Sequence, residues 1–349
     1  MNALVTGATG FVGFHVARCL RERGHAVRAL ARGPERAREL LAERGVEIAA
    51  GDMTNARAVG AALAGCDAVV HAAAAVSLDP RDAERLLREN VLGTQCVIGG
   101  ACDAGIARIV YVSSLTTIWG PESANPSAHS ALRAGTSGYA RAKCEAERVV
   151  RARQEAGAKL AIVYPNGVIG PDDPGLSEAV RAFRGFTRAT LATSGGLASV
   201  DVRDLALLCA RLLETERSGR FVMGGQFHSW DQLVAELEPL VGRKIRRVRA
   251  PGWALRAGGS LLDALRAARA GRAPHGGATP SSASGAAAMI TREAMEYATR
   301  MRALPNDPVL RELGVELRPL SETYQATLAS LAAKRRSRQT IAATRERRA

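Results

Sequence analysis

Six short apolar runs, each trailed by a helical pattern, constrain the fold of this chain more than any other feature. They fall at residues 2–6 (NALVT), 26–31 (AVRALA), 46–50 (VEIAA), 67–71 (DAVVH), 108–113 (RIVYVS) and 159–164 (KLAIVY). Helical patterns lie at about 11–23, 34–44, 55–64, 81–103 and 139–156. A strand with one wet face alternates apolar and polar residues, and these runs do not. Continuous apolar strands belong to a sheet covered on both faces, and parallel neighbours need a helical crossover between them. The rhythm predicts an α/β fold built on a doubly wound parallel sheet.

After YPNGVIGPDDPG (164–175) the rhythm breaks. A helix at 201–215 and a strand at 220–223 are expected to return to the sheet, while helices near 229–241, 252–270 and 286–303 build a smaller, mainly helical lobe. The large domain then takes residues 1–170 and about 200–225, and the substrate lobe about 171–199 and 226–333. Residues 271–285 (GRAPHGGATPSSASG) are expected as a mobile lid or a disordered insert, and 334–349 as a basic, disordered tail that holds +6 of the chain's formal +14. With aromatic content at 4%, no stacking platform accompanies that charge, so nucleic acid is not an expected partner. No apolar stretch reaches the roughly 18 residues of a spanning helix, and the first residues lack a basic leader region. Six cysteines without paired or metal spacing read as reduced thiols, so a cytoplasmic protein without a bound metal is expected.

The first strand runs into TGATGFVG, which sets Gly7, Gly10 and Gly13 between a strand end and a helix start. One glycine permits the tight turn, one lets backbone N–H groups approach a pyrophosphate, and one lets helix and sheet pack closely. The sequence therefore assigns a dinucleotide to Gly7, Thr9, Gly10, Phe11, Val12 and Gly13, within an NAD(P)-binding Rossmann domain. An NAD site usually ends its second strand in an acid that binds the ribose 2′-hydroxyl. Here Arg32 stands in that place, with Arg36 close by. A guanidinium suits a 2′-phosphate, so NADP is the expected cofactor and NAD the alternative. Asp52, followed by Met53 in GDMTN, is placed to accept from the adenine amino group. Ala72 and Ala73, in the HAAAA run, let backbone pass close to the cofactor, and His71 before them reads as a packed strand-end histidine.

Of 48 basic residues only four are lysines. One of them, Lys143, follows Tyr139 by a single helical turn in GYARAKCEAER, so the two share a face. A free phenol titrates at about pH 10 and is a poor proton carrier near neutrality. A neighbouring ammonium is expected to lower that value, and a compact charge with three donors also reaches a ribose hydroxyl. Upstream, IVYVSSLTT ends a buried strand in Ser113 and Ser114. A hydroxyl there is expected to hold a substrate carbonyl against the phenol, with Ser114 preferred and Ser113 the alternative.

The motifs TGATGFVG, GDMTN, HAAAA, ENVLGTQ, YVSS, YARAK, YPNGVIGP and VDVRDLA occur in the order and at the spacing of the extended short-chain dehydrogenases/reductases, within the NAD-dependent epimerase/dehydratase superfamily. The chain resembles that family over roughly residues 1–330. The resemblance implies that Tyr139 is the general acid/base, that Lys143 tunes it and binds nicotinamide ribose, and that Ser114 positions the reacting oxygen. It also implies that Asn90 supports the site and that Pro165, Gly167 and Val168 lie along the nicotinamide. The dihydroflavonol-reductase-like and 3β-hydroxysteroid-dehydrogenase-like branch is the most similar. Gly167 stands before VIGP where sugar-nucleotide enzymes carry Asn, and Leu115, Thr116 and Thr117 follow Ser114 where dehydratases place Asp–Glu.

The implied activity is NAD(P)-dependent hydride transfer between nicotinamide and a carbonyl or secondary alcohol of an apolar small molecule. A nucleotide-sugar epimerase with tightly held NAD is the alternative, and a non-catalytic dinucleotide sensor the more distant one. The resemblance also implies a homodimer through the helices at 81–103 and 139–156. Segments 76–82, 115–138, 166–199 and 253–300 are expected to wall the substrate with Leu78, Leu115, Ile118, Trp119, Phe183, Phe186, Leu191 and Trp253. The basic, partly amphipathic helix at 252–270 fits packing over that site and also weak peripheral contact with anionic lipid.

Overall fold

A computed structural model of the chain describes residues 1–77, 79–120, 122, 125–270 and 290–346. It begins with β1 (Asn2–Thr6), α1 (Phe11–Glu22), β2 (Ala26–Ala31), α2 (Pro34–Leu41), β3 (Glu47–Ala50), α3 (Ala56–Leu63) and β4 (Ala68–His71). Helix α4 (Ala83–Thr94) then passes through a wide π-type turn into α5 (Gly100–Asp103), followed by β5 (Arg108–Val112), α6 (Gly138–Glu155) and β6 (Ala161–Pro165). The helix expected over 81–103 is thus present as one continuous run, widened by a π-type turn at Gln95–Gly99. The remainder supplies β7 (Gly167–Ile169), α7 (Glu178–Phe186), β8 (Ala189–Ala192), β9 (Gly196–Asp201), α8 (Val202–Glu214), β10 (Gly219–Met223), β11 (Gln226–Ser229) and α9 (Trp230–Val241). Last come β12 (Arg246–Arg249), α10 (Gly252–Ala270), α11 (Arg292–Arg300), α12 (Val309–Glu312) and α13 (Leu320–Glu346).

Seven strands form one sheet in the order β10-β6-β5-β4-β1-β2-β3, every pair parallel. The chain runs outward through β2 and β3 and then crosses back to β4. Neighbouring β1 and β4 therefore send their connections to opposite sides, and a crevice opens at their carboxyl ends. Period two survives inside the continuous apolar runs. Ala3 and Val5 of β1, Val110 and Val112 of β5, and Ala161 and Val163 of β6 enter one core beneath α1 and α8. Leu4, Ile109, Tyr111, Ile162 and Tyr164 enter the other, under α3 and α6. Two dry faces are why those strands carry no polar alternation.

The smaller lobe adds two short sheets to its helices. Strand β9 lies between β7 and an antiparallel β11, and β8 pairs with β12. Its core joins Phe183, Trp230, Leu233, Leu237 and Tyr324. Tyr324 stacks on Phe183 with ring centroids 5.2 Å apart, which anchors α13. The segment from Lys334, expected as disordered, instead continues α13 as helix to Glu346; its Ala, Arg, Gln and Lys residues are good helix formers. The lid expected at 271–285 lies outside the described residues, as does the start of the helix expected at 286–303. Among the described residues no helix is long and apolar enough to cross a membrane.

Candidate active site

The glycine turn sits at the β1–β4 crevice. Gly7 has φ +76°, and a Cβ there would lie 2.7 Å from the Ala73 nitrogen. A Cβ on Gly13 would stand 2.3 Å from the Gly7 carbonyl oxygen, so α1 starts flush against the turn. Gly10 is the N-cap of α1 and no side chain caps it, leaving the helix end open to a phosphate. Thr9 and Val12 are half-buried around this turn, while the Phe11 ring is buried with Val180 and Val202. Across the crevice the Ala73 N–H donates to Thr6 Oγ1 at 3.3 Å, and Ala72 precedes it. Asn90 grips the next stretch, accepting from the Ala75 N–H at 2.8 Å and donating to the Ala75 carbonyl at 3.0 Å. This cradle, closed to any Cβ and uncapped at the helix end, fits a dinucleotide pyrophosphate.

Arg32 follows β2 with its side chain 72% exposed, its Nε 3.8 Å from Asp52 Oδ2. Burial works against the Asp52 charge, yet the Thr54 N–H and hydroxyl, 2.8 and 2.7 Å from Oδ1, hold its carboxyl below the usual value. Met53 packs against Gly93 of α4. His71 lies between Thr6 Oγ1 at 2.7 Å and Thr94 Oγ1 at 3.2 Å. Burial and the Lys143 charge push it down to about 3, so the imidazole is a neutral strut.

Helix α6 presents Tyr139, Lys143, Glu147 and Arg151 at intervals of four, one ladder down its inner face. Burial pushes the Tyr139 phenol up to about 12, the Glu293 carboxylate adds to this, and a hydrogen bond with Ser114 works the other way. The expectation that Lys143 lowers the phenol is corrected here. Its Nζ donates to the Val112 carbonyl at 2.8 Å and lies 4.6 Å from the centre of the Tyr111 ring, so the ammonium is directed at the end of β5, and the phenol's position is set by burial and Glu293 instead. Lys143 is only 3% exposed; burial brings it down to about 8 while Glu147 holds it up. The two serines have separate jobs. Ser114 caps a short turn, accepting from Thr116, and reaches the phenol. Ser113 donates instead to Glu147 on the far side of the strand.

Four residues escaped the sequence reading. Glu147, fully buried, accepts from Ser113, from Thr117 at 2.7 Å, from Tyr164 at 2.7 Å and from Arg151 at 2.8 Å. Its spacing from Lys143 was the available signal. Asn166, between Pro165 and Gly167, donates to the Gly224 carbonyl at 3.1 Å and accepts from the Gly167 N–H at 2.9 Å. The Tyr297 hydroxyl meets Asn166 Oδ1 and lies 3.1 Å from the Ala198 carbonyl. Glu293, one turn before Tyr297 on α11, accepts from the Ser137 N–H at 2.8 Å, at the very start of α6. Val168 is half-buried beside this junction, in the strand that pairs with β9.

The expected substrate wall is largely not a wall. Leu115 and Ile118, in the short turn after β5, pack into the core under α3 and α6, and Phe183 of α7 packs into the small-lobe core. Phe186 and Leu191 pack against the small-lobe core, Phe186 with its ring 5.3 Å from that of Trp230. Trp253 is 69% exposed to solvent, and Leu78 lies outside the described residues. Trp119 remains, its ring 5.7 Å from that of Tyr297.

Comparison with known proteins agrees with this geometry. The NAD dependent epimerase/dehydratase family matches residues 3–224. A Synechocystis sp. protein with the provisional name dihydroflavonol 4-reductase is 32% identical over 71% of this chain and 75% of its own. Sterol demethylase protein B of Methylococcus capsulatus is 32% identical over 76% of this chain and 82% of its own. The crystal structure of gox2253 superimposes with TM-score 0.76 at 27% identity, covering 95% of this chain and 98% of that one. A glycine cradle at the strand-order reversal, a Ser–Tyr–Lys set beside it and these likenesses lead to one conclusion: the chain belongs to the NAD-dependent epimerase/dehydratase family, as an extended short-chain dehydrogenase/reductase whose chemistry is NAD(P)-dependent oxidoreduction.

Proposed function

We propose that the protein is an NADP-preferring carbonyl reductase for an apolar small molecule. The observation that carries this is the Tyr139 phenol, kept protonated by burial, hydrogen-bonded to Ser114 and set one turn above a buried ammonium. Gly7, Gly10, Gly13, Ala73 and Arg32 would hold the dinucleotide, with Lys143 and the Pro165–Val168 segment at its nicotinamide end; when bound it supplies the hydride. Ser114 Oγ holds the substrate oxygen. Tyr139 Oη passes its proton to that oxygen as the carbonyl carbon is reduced, while the protonated Lys143, one turn along the same face, would hold the nicotinamide ribose rather than tune the phenol. A phenol at about 12 suits the acid of a reduction better than the base of an oxidation. Support for an apolar substrate comes from the Trp119–Tyr297 pair beside Gly167 and from relatives named for a sterol and a flavonoid.

Tyr139→Phe should keep NADPH affinity and lose turnover on a panel of apolar ketones by about a hundred- to ten-thousand-fold. Normal turnover in that variant would remove Tyr139 from the chemistry. Arg32→Ala should weaken NADPH by roughly ten-fold and leave NADH nearly untouched, which fluorescence titration of each nucleotide measures.

A further inference from the structure

Helix α10 turns the unexpected face to solvent. Among its described side chains the exposed positions 253, 257, 260, 261, 264, 265 and 268 form one stripe at helical spacing, and none of these is charged. Trp253, Leu261 and Leu265 are 69, 62 and 45% exposed. Its charged residues at 256, 263 and 266 are turned aside. Arg256 donates to Thr299 Oγ1 at 3.0 Å, Arg266 to Asp263 at 2.9 Å, and Asp263 accepts from the Arg292 N–H at 2.8 Å. The opposite side is packed down, since a Cβ on Gly259 would stand 2.7 Å from the Thr291 carbonyl. In a chain 23% charged, a chargeless exposed stripe rich in large apolar groups marks a contact surface.

Charge and area select the occupant. Two residues separate strand β12 from α10, and its Arg246, Arg247 and Arg249 are all exposed, in a chain of formal charge +14. An anionic partner fits, and a second copy of this chain would bring the same positive charge. The stripe from Trp253 to Ala268 is about 22 Å long and one helix, about 10 Å, wide. That is a small part of the roughly 800 Å² per partner that a stable protein interface buries. A lipid headgroup boundary, by contrast, takes up just such a single stripe, with large apolar side chains on one face and basic residues at hand.

We propose that this face docks the protein peripherally on an anionic lipid surface, with Trp253, Leu261 and Leu265 entering the headgroup boundary and the β12 arginines meeting lipid phosphates. Helix α10 rests on α11 and on the turn Pro80–Asp82, so docking would set lipid beside the elements that border the candidate site. The inference stands without the reductase reading, because its test measures binding and not turnover.

The test is co-sedimentation of the full chain with vesicles of phosphatidylcholine alone and with one third phosphatidylglycerol, at low and physiological salt. Binding should require phosphatidylglycerol and fall with salt. Arg246→Gln and Arg249→Gln should each weaken it roughly five-fold. A Leu261→Ser/Leu265→Ser double variant should weaken it about ten-fold or more, with melting temperature and NADPH titration unchanged. Equal partition to both vesicles, no binding to either, or wild-type binding by the double variant overturns the proposal. So does a concentration-dependent doubling of mass in light scattering that the double variant abolishes, which would make the stripe a contact between copies.

Discussion

Lys143 titrates at about 8, whereas His71 at about 3 and Tyr139 at about 12 lie beyond the working range on either side. The rate of ketone reduction should therefore be flat through neutrality and fall with a midpoint of about 8 as the ammonium is lost. An inflection near 6.5 instead would point to a histidine and sink this assignment. Folding carries the opposite sign. Because burial lowers Lys143 from 10.5 to about 8, its charge opposes folding below 8, and that opposition fades as pH climbs towards 10.5. Urea midpoints of wild type and Lys143→Met should accordingly move in favour of wild type over that window, just where its turnover declines. The Tyr139–Lys143 spacing was legible because four residues on one helix bring two side chains together without help from the rest of the chain. The direction of the ammonium was not legible. It depends on the Val112 carbonyl and the Tyr111 ring, a strand away.

The first βα unit shows how one substitution changes sign with its surroundings. Gly13→Ala gains helix propensity but forces a Cβ to 2.3 Å from backbone oxygen, so it should cost about 1–3 kcal/mol in urea unfolding and sharply reduce NADPH binding. Gly60→Ala, inside α3 with open space where its Cβ would go, should stabilise by up to about 1 kcal/mol and leave binding alone. At this scale the sheet was readable because dry strands cannot carry polar residues, and the glycine turn because only glycine fits it. Strands β7, β8, β9, β11 and β12 were missed: four are three or four residues long and at most partly buried, and the longer, buried β9 (GLASVD) has its apolar run broken by Gly, Ser and Asp. Helix α11 was placed only loosely, and nothing in its sequence announces Glu293 or Tyr297. Their partners are 156 and 131 residues away, and so long a contact leaves no periodic trace.

Across the molecule, α13 fastens the small lobe to the large domain. Thr323 donates to Asp201 at 2.8 Å, Arg318 pairs with Asp204 just ahead of the helix, and Tyr324 fills the lobe core. Truncation before Leu320 should thus abolish cooperative unfolding of the full chain, whereas removal of residues 337–349 should leave turnover and melting temperature unchanged; calorimetry of the two truncations checks both.

Glu293 and Tyr297 also fix how a guest molecule gets in. Each is bonded to the segment beside the phenol, one at Ser137, the N-cap of α6, and one at the exit of β6. A clamshell swing of the lobe would tear both ties at once. Opening the site by such a swing would therefore carry the cost of both hydrogen bonds together.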